Sequence, residues 1–180
     1  MVVALGTAQG GVIAELGVAI GDFSEFMIEN LRPLKFVAID LYDMHKTPIV
    51  WGRPSTELFQ NMSQIEFFRR RFAKYGSCVV TDQGLSYDML ERYPDDTFDL
   101  IYIDAGHDYA SVKRDGEVST RKLKRDGVII YNDYVLYDPF GEGAYGVVQA
   151  VNELVTAGGW RVVGFALERN MFCDIAIKRV

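Results

Sequence analysis

The chain has 180 residues, 49% of them hydrophobic and 24% charged, proportions that suit one globular domain with enough chain for a full core. A formal net charge of −6 counts against a general nucleic-acid surface, and no run approaches the ~20 apolar residues of a membrane span. Cys78 and Cys173 stand far apart in apolar runs without a CxxC or Cys/His cluster, so reduced core thiols in a cytoplasmic protein are expected rather than a zinc site.

Residues 1–10 are small and apolar without clear periodicity, and they lack the basic start of a signal peptide. Residues 12–16 read as a buried strand ending on Glu15. The glycines Gly17 and Gly21 follow, and a tight turn there leads into a helix carrying Phe23, Met27 and Leu31 at helical spacing, stopped by Pro33. Residues 35–41, KFVAIDL, form the second strand, with Asp40 near its carboxyl end. Residues 42–62 are the longest irregular stretch, with Pro48, Trp51, Gly52 and Pro54. A helix is expected over 63–75; it holds the run Arg69-Arg70-Arg71, read as one solvated face. Residues 78–81 form a third strand ending at Asp82, followed by a short helix near 86–92.

The clearest strand is 98–104, FDLIYID; Ala105-Gly106-His107 then turns into a helix over 108–124. A fifth strand, 128–131, ends at Asn132-Asp133. A second loop, 134–144, precedes a helix over 145–157. Two final strands, 160–166 and 171–178, are joined by residues 167–170, a link short enough to require an antiparallel hairpin. Strands alternating with helices predict a mostly parallel sheet covered on both faces, whose ligands sit at the carboxyl ends of the strands. That edge carries Glu15, Asp40, Asp82, Asp104 and Asn132-Asp133. Any one of these could be a cap or turn residue, but five strand ends together favour a functional site.

A carboxylate ending the second strand suits the vicinal diol of a ribose. The first turn lacks G-x-G-x-x-G spacing, and Glu15 beside it would repel a pyrophosphate, which points away from nicotinamide cofactors and toward S-adenosylmethionine, a sulfonium amino acid. At this point a resemblance is visible. The segment Glu15-Leu16-Gly17-Val18-Ala19-Ile20-Gly21 resembles the first motif, E/D-x-G-x-G-x-G, of the class I S-adenosylmethionine-dependent methyltransferases, with Ala19 in place of the middle glycine. The segment from Asp99 to Tyr109 resembles the D-x-x-x-x-D-x-x-H-x-Y element of a small-molecule O-methyltransferase branch. The segment from Lys124 to Tyr134 resembles its K-P-G-G-x-x-x-x-x-D-Y element, with Arg125-Asp126 replacing Pro-Gly.

The resemblance implies a Rossmann-like α/β fold: a seven-stranded sheet in the order 3-2-1-4-5-7-6 with strand 7 antiparallel and helices on both faces. It implies cofactor contacts at Glu15, Gly17, Ala19, Gly21, Ser24, Asp40, Leu41, Asp82, Gly84, Ser86 and Asp104. Leu41 and Tyr42 could equally be core. In the metal-dependent catechol-type and antibiotic-sugar enzymes, metal ligands stand at the positions of Asp104, Asn132 and Asp133, and adjacent strand ends could indeed converge these oxygens on magnesium or another hard cation. The sugar-methylating enzymes place a histidine base where His107 stands, three residues after Asp104. The acceptor expected is a small-molecule hydroxyl, selected by the aromatics Trp51, Tyr134, Tyr137 and Phe140 of the two loops; no nucleic acid or membrane partner is expected. The acceptor could be covered by those loops, by a second subunit of a homo-oligomer, or by a further segment. A nucleotide-cofactor oxidoreductase is an alternative, opposed by Glu15 and the missing third glycine, and so is a non-catalytic cofactor-binding module, opposed by the intact Asp104, His107 and Asp133.

Overall fold

The computed structural model describes residues 1–6, 8–139, 143–167 and 172–180. Seven strands form the main sheet: β1 (Val12–Leu16), β2 (Lys35–Asp40), β3 (Val79–Gln83), β4 (Phe98–Ile103), β5 (Leu123–Tyr131), β6 (Trp160–Leu167) and β7 (Cys173–Arg179). Five helices alternate with them: α1 (Asp22–Leu31), α2 (Gln64–Phe72), α3 (Ser86–Glu91), α4 (Tyr109–Lys122) and α5 (Val147–Thr156). The order across the sheet is β6-β7-β5-β4-β1-β2-β3, and β7 runs antiparallel to both neighbours. This is the expected order. The residues 168–171 that would complete the hairpin link, and Phe140 with Gly141 of the second loop, lie outside the described residues.

Side chains alternate across each strand, so one strand feeds two cores. Ala14, Leu16, Val37, Ile39, Ile101, Ile103 and Ile129 face one way, with Leu90, Val112 and Val151 of α3, α4 and α5. Ile13, Phe36, Ala38, Leu100, Tyr102 and Val128 face the other, with Met27 of α1 and Phe68 of α2. The first residues also pack: Val2 and Ala8 are buried in this second core.

Several element ends differ from expectation for visible reasons. Strand β5 begins five residues early, at Leu123, which pairs with Phe98 before the register slips and Val128 pairs with Leu100. Lys-Arg-Asp-Gly there is an irregularity within the strand rather than a turn ahead of it, and α4 stops at Lys122. Residues 42–62 are less irregular than their composition implies: a ribbon pairs Ile49–Val50 with Arg53–Pro54, and a helical turn follows over Ser55–Leu58. Val50, Leu58 and Phe59 give this segment a small core of its own. Helix α2 starts at a capping box between Ser63 and Glu66. Its arginines are not simply solvated. Arg71 reaches Asp22 at 2.6 Å, Glu25 at 2.7 Å and the Ile20 carbonyl at 2.8 Å, tying α2 to the turn after β1.

The carboxyl ends of the strands are aligned by main-chain bonds. The amide of Gly17 donates to Ile39 O at 2.8 Å, Asp104 to Leu16 O at 2.7 Å, Asn132 to Ile103 O at 2.9 Å and Gly84 to Asp40 O at 3.0 Å. The first residue beyond each of four strands is thereby fixed beside its neighbour. No helix of the described residues is long and apolar enough to cross a membrane.

Candidate active site

A cavity of about 460 Å³ opens at this edge. Its walls include Gly17 and Ala19 of the β1–α1 turn, Asp40 and Leu41 after β2, Trp51, Gly84 to Tyr87, and Asp104 to His107. Gly17 is required by contact as well as by its φ of +82°: a Cβ there would lie 1.9 Å from the Asp104 carbonyl oxygen. The glycine turn and the β4 end can therefore close one wall only without a side chain between them.

Asp40 lines the cavity and also holds the turn. Its Oδ2 accepts from the amides of Val18 at 2.8 Å and Ala19 at 3.4 Å, and its Oδ1 accepts from Tyr42 at 2.6 Å. Burial raises its pKa, and those backbone bonds work in the opposite direction. Oδ2 takes two of these bonds and Oδ1 one, so by lone-pair count one acceptor position, on Oδ1, remains for a ribose hydroxyl. Leu41 is a half-exposed cavity residue, whereas Tyr42 is fully buried and belongs to the core.

The other expected cofactor residues divide. Gly84 and Ser86 line the cavity. Glu15 and Ser24 are both buried beneath the turn, where the Ser24 hydroxyl donates to Glu15 Oε2, and neither lines the cavity. Burial pushes the Glu15 pKa well up, while the Ser24 bond favours its charged form. Gly21 begins α1 against the ring of Phe72. Asp82 is turned onto the Tyr93 hydroxyl at 2.5 Å and is not part of the cavity wall.

At one side of the cavity Asp104, His107 and Asp133 meet. One ligand atom from each lies within 4.8 Å of the other two. His107 Nε2 stands 3.5 Å from Asp104 Oδ1 and 3.4 Å from Asp133 Oδ2, ion-pair contacts without a well-formed hydrogen bond. Burial works to lower the His107 pKa, but Asp104, Asp133 and Asp138 outweigh it and the net shift is upward. Burial raises the pKa of Asp104, with His107 and Asn132 opposing. Asn132 donates its amide to Asp104 Oδ1 at 3.1 Å, so it serves Asp104 as a donor.

His107 is firmly oriented. Its ring stacks on Tyr145 with centroids 4.5 Å apart and planes 7° apart. Its carbonyl accepts from the Gly146 amide at 2.8 Å. Gly146 must be glycine because a Cβ would meet the Tyr109 backbone at 2.2 Å. Four non-glycine residues at this edge hold left-handed backbone: Ala19 (φ 48°), Tyr42 (φ 53°), Trp51 (φ 49°) and Asp133 (φ 53°).

Sequence reasoning missed Gln64. It is fully buried at the start of α2, donates to Ala19 O at 2.9 Å and accepts from Met44 N at 2.9 Å. Ala19 and Met44 both line the cavity, so one amide joins the glycine turn to the segment that leads to Trp51. Its position one residue after the Ser63 cap looks like ordinary helix sequence, and only its partners reveal the role.

The fold and this edge define a class I S-adenosylmethionine-dependent methyltransferase domain. Residues 14–134 match the model of a family described as a methyltransferase domain, more than half of the chain, and the chain belongs to that family. No curated protein is significantly similar to it in sequence. Among solved structures it resembles a candidate caffeoyl-CoA O-methyltransferase from Staphylococcus aureus, with a TM-score of 0.65 and 20% identity over 93% of this chain and 76% of that one. It also resembles the M1A22 tRNA methyltransferase TrmK of B. subtilis, with a TM-score of 0.61 and 16% identity over 99% of this chain, which spans 64% of that one. A candidate rRNA methylase from Clostridium thermocellum gives a TM-score of 0.66 and 11% identity over 97% and 89% of the two chains. At these identities the likeness is one of fold.

Proposed function

We propose that the chain methylates a hydroxyl of a small molecule, with His107 as general base and Asp104, Asp133 and Asn132 as the set for a divalent cation. The convergence of Asp104, His107 and Asp133 beside the cavity carries this reading. Bound S-adenosylmethionine supplies an electrophilic methyl group; a bound cation supplies Lewis acidity toward the acceptor oxygen. This chain's own part is to orient both partners and to take the proton. His107 Nε2 accepts it, and the carboxylates of Asp104 and Asp133 stabilise the resulting imidazolium. The Tyr145 ring holds the imidazole face, and the Gly146 amide holds the main chain that carries it.

Charge argues for the acceptor class. The described cavity lining holds Asp40, Asp43 and Asp104 but no lysine or arginine. Such a field suits a sulfonium cofactor and opposes a polyanionic acceptor such as RNA. Trp51, 66% exposed on the rim, offers an indole face to a neutral acceptor or to the cofactor.

The donor set fits a cation, and it favours a second reading of one residue. Asn132 would have to turn its amide to present an oxygen, whereas His107 Nε2 already faces both carboxylates. One nitrogen beside two carboxylates suits manganese, cobalt or zinc better than magnesium. The same Nε2 cannot bind a metal and accept a proton, so the two roles exclude each other. His107→Ala separates them. As a base, its loss lowers transfer about 100-fold with Mn²⁺ affinity retained; as a ligand, Mn²⁺ affinity measured by calorimetry falls with it. Absence of any binding of S-adenosylhomocysteine to the wild-type chain would overturn the cofactor reading. Full activity after exhaustive chelation would remove the cation.

A further inference from the structure

Between α4 and α5 lies a second cavity, of about 260 Å³, that shares no residue with the first. Its apolar walls are Val112, Ala150, Leu154 and Ala157. Two further lining residues make it more than a seam between packed helices. Gly116 stands inside the 14-residue α4, where glycine weakens a helix. A Cβ there would lie 2.6 Å from the Tyr131 hydroxyl oxygen. The glycine thus leaves a slot through which a side chain of β5 reaches the cavity. Tyr131 is 2% exposed, and its hydroxyl makes no hydrogen bond with any described residue. A buried tyrosine hydroxyl ordinarily has a partner. The neighbouring groups supply none. Asp115, beside Gly116, is wholly buried with both carboxylate oxygens unbonded, and the Ser119 hydroxyl one turn on is buried without a partner too. Burial, and after it the charge of Asp115, push the Tyr131 pKa up, so this hydroxyl keeps its proton and has it to donate.

The charged lining residues decide what sign of occupant fits. Lys113 is already bonded: its Nζ donates to the Tyr109 hydroxyl at 2.8 Å and to Glu153 Oε2 at 3.1 Å. The Glu117 carboxylate is exposed and has no partner among the described residues. The cavity therefore combines apolar walls, one hydroxyl donor and one uncompensated negative charge. We propose that it is a second ligand site, for a small amphipathic amine whose oxygen-bearing end bonds the Tyr131 hydroxyl and whose ammonium end meets Glu117. The apolar body between those ends covers Val112 and Leu154. A purely apolar molecule would leave Tyr131 without a partner, which is costly for a group removed from water. An anion would meet the charge of Glu117, with Lys113 held by Glu153. The site stands apart from the reaction, and none of its residues serves the cofactor, the acceptor or the proton.

Three probes separate the two polar contacts. Tyramine carries both ends, phenethylamine lacks the hydroxyl and 4-ethylphenol lacks the amine. Each is titrated into the whole chain and followed by NMR. Tyramine should bind with a Kd on the order of 1 mM, the scale for about ten heavy atoms, and each of the others about three- to tenfold more weakly. In Tyr131→Phe tyramine should lose its lead over phenethylamine; in Glu117→Gln it should lose its lead over 4-ethylphenol. Neither residue lines the first cavity, so tyramine bound there would keep both leads. Tyr131→Phe removes a hydroxyl that the fold does not use, and its melting temperature should equal or exceed that of the wild type. A fall of more than ~3 °C would show that the hydroxyl is satisfied within the protein and would overturn the proposal. So would the absence of saturable tyramine binding below ~10 mM, or a lead that survives either substitution.

Discussion

Replacing Asp115 by asparagine should stabilise the protein, and by an amount that depends on pH. Burial raises the Asp115 pKa from the ordinary 3.8 to about 6. The unfolded chain therefore releases this proton first, and between these two values the folded state binds more protons than the unfolded one. Stability from this group is fully present below the lower value and is lost as pH rises through the upper one. A shift of about two units corresponds to ~3 kcal/mol at pH 8, at ~1.36 kcal/mol per unit. Asparagine has nearly the same shape and no charge to bury. Its amide still needs partners, which offsets ~1 kcal/mol or more of the gain. The net expectation is a variant ~1–2 kcal/mol more stable at pH 8, or ~2–8 °C in melting temperature for a chain of this size. The gain should shrink by ~2 kcal/mol on going down to pH 4.5. Urea unfolding of both proteins across this pH range measures it directly. A variant that is less stable at pH 8, or a difference that does not move with pH, would refute the argument that Asp115 is an uncompensated buried charge.

Other substitutions probe the cavity walls. Gly17→Ala should abolish binding of S-adenosylhomocysteine, since its Cβ would overlap the Asp104 carbonyl and force the glycine turn off β4; calorimetry with retained affinity would show that the turn can yield. Gln64→Ala removes the link between Ala19 O and Met44 N, and should weaken S-adenosylhomocysteine binding about tenfold, by roughly the ~1.4 kcal/mol of a buried hydrogen bond. Ser24→Ala leaves Glu15 buried without its partner and should cost ~1–3 kcal/mol in chemical denaturation; a neutral result would mean that Glu15 is already protonated and content.

The sequence was most informative where a fold property and a side-chain pattern coincide. FDLIYID is buried on both faces, so its continuous apolar run and terminal acid mark both a central strand and the site beyond it. The short link after residue 167 forces β7 antiparallel, and with it the end of the sheet order. What could not be read is which way each edge side chain turns. Glu15 and Asp82 have the same place at a strand end as Asp40, yet one turns under the helix to Ser24 and the other to Tyr93, partners nine and eleven residues away. Spacing fixes a residue's position along a strand; its rotamer is settled by whatever donor packs nearest. For the same reason Asn132, read as a ligand, meets Asp104 as a donor. Arg71 reads as surface because the acids it meets, Asp22 and Glu25, are almost fifty residues away.

The main-chain bonds at Gly17, Gly84, Asp104 and Asn132 have a consequence for how such a site can change. Each of these positions is held through its own amide and the neighbouring strand's carbonyl, groups that every residue except proline supplies. Where the side chain acts only within the site, as the Asn132 amide does on Asp104, its identity is decoupled from the alignment of the sheet. New chemistry could be tried there by substitution, Asn132→Asp or Asn132→His among them, without renegotiating strand register. The edge is in that sense a rack with fixed pegs and exchangeable tools, and redesign of the acceptor or of a metal preference would best begin from it.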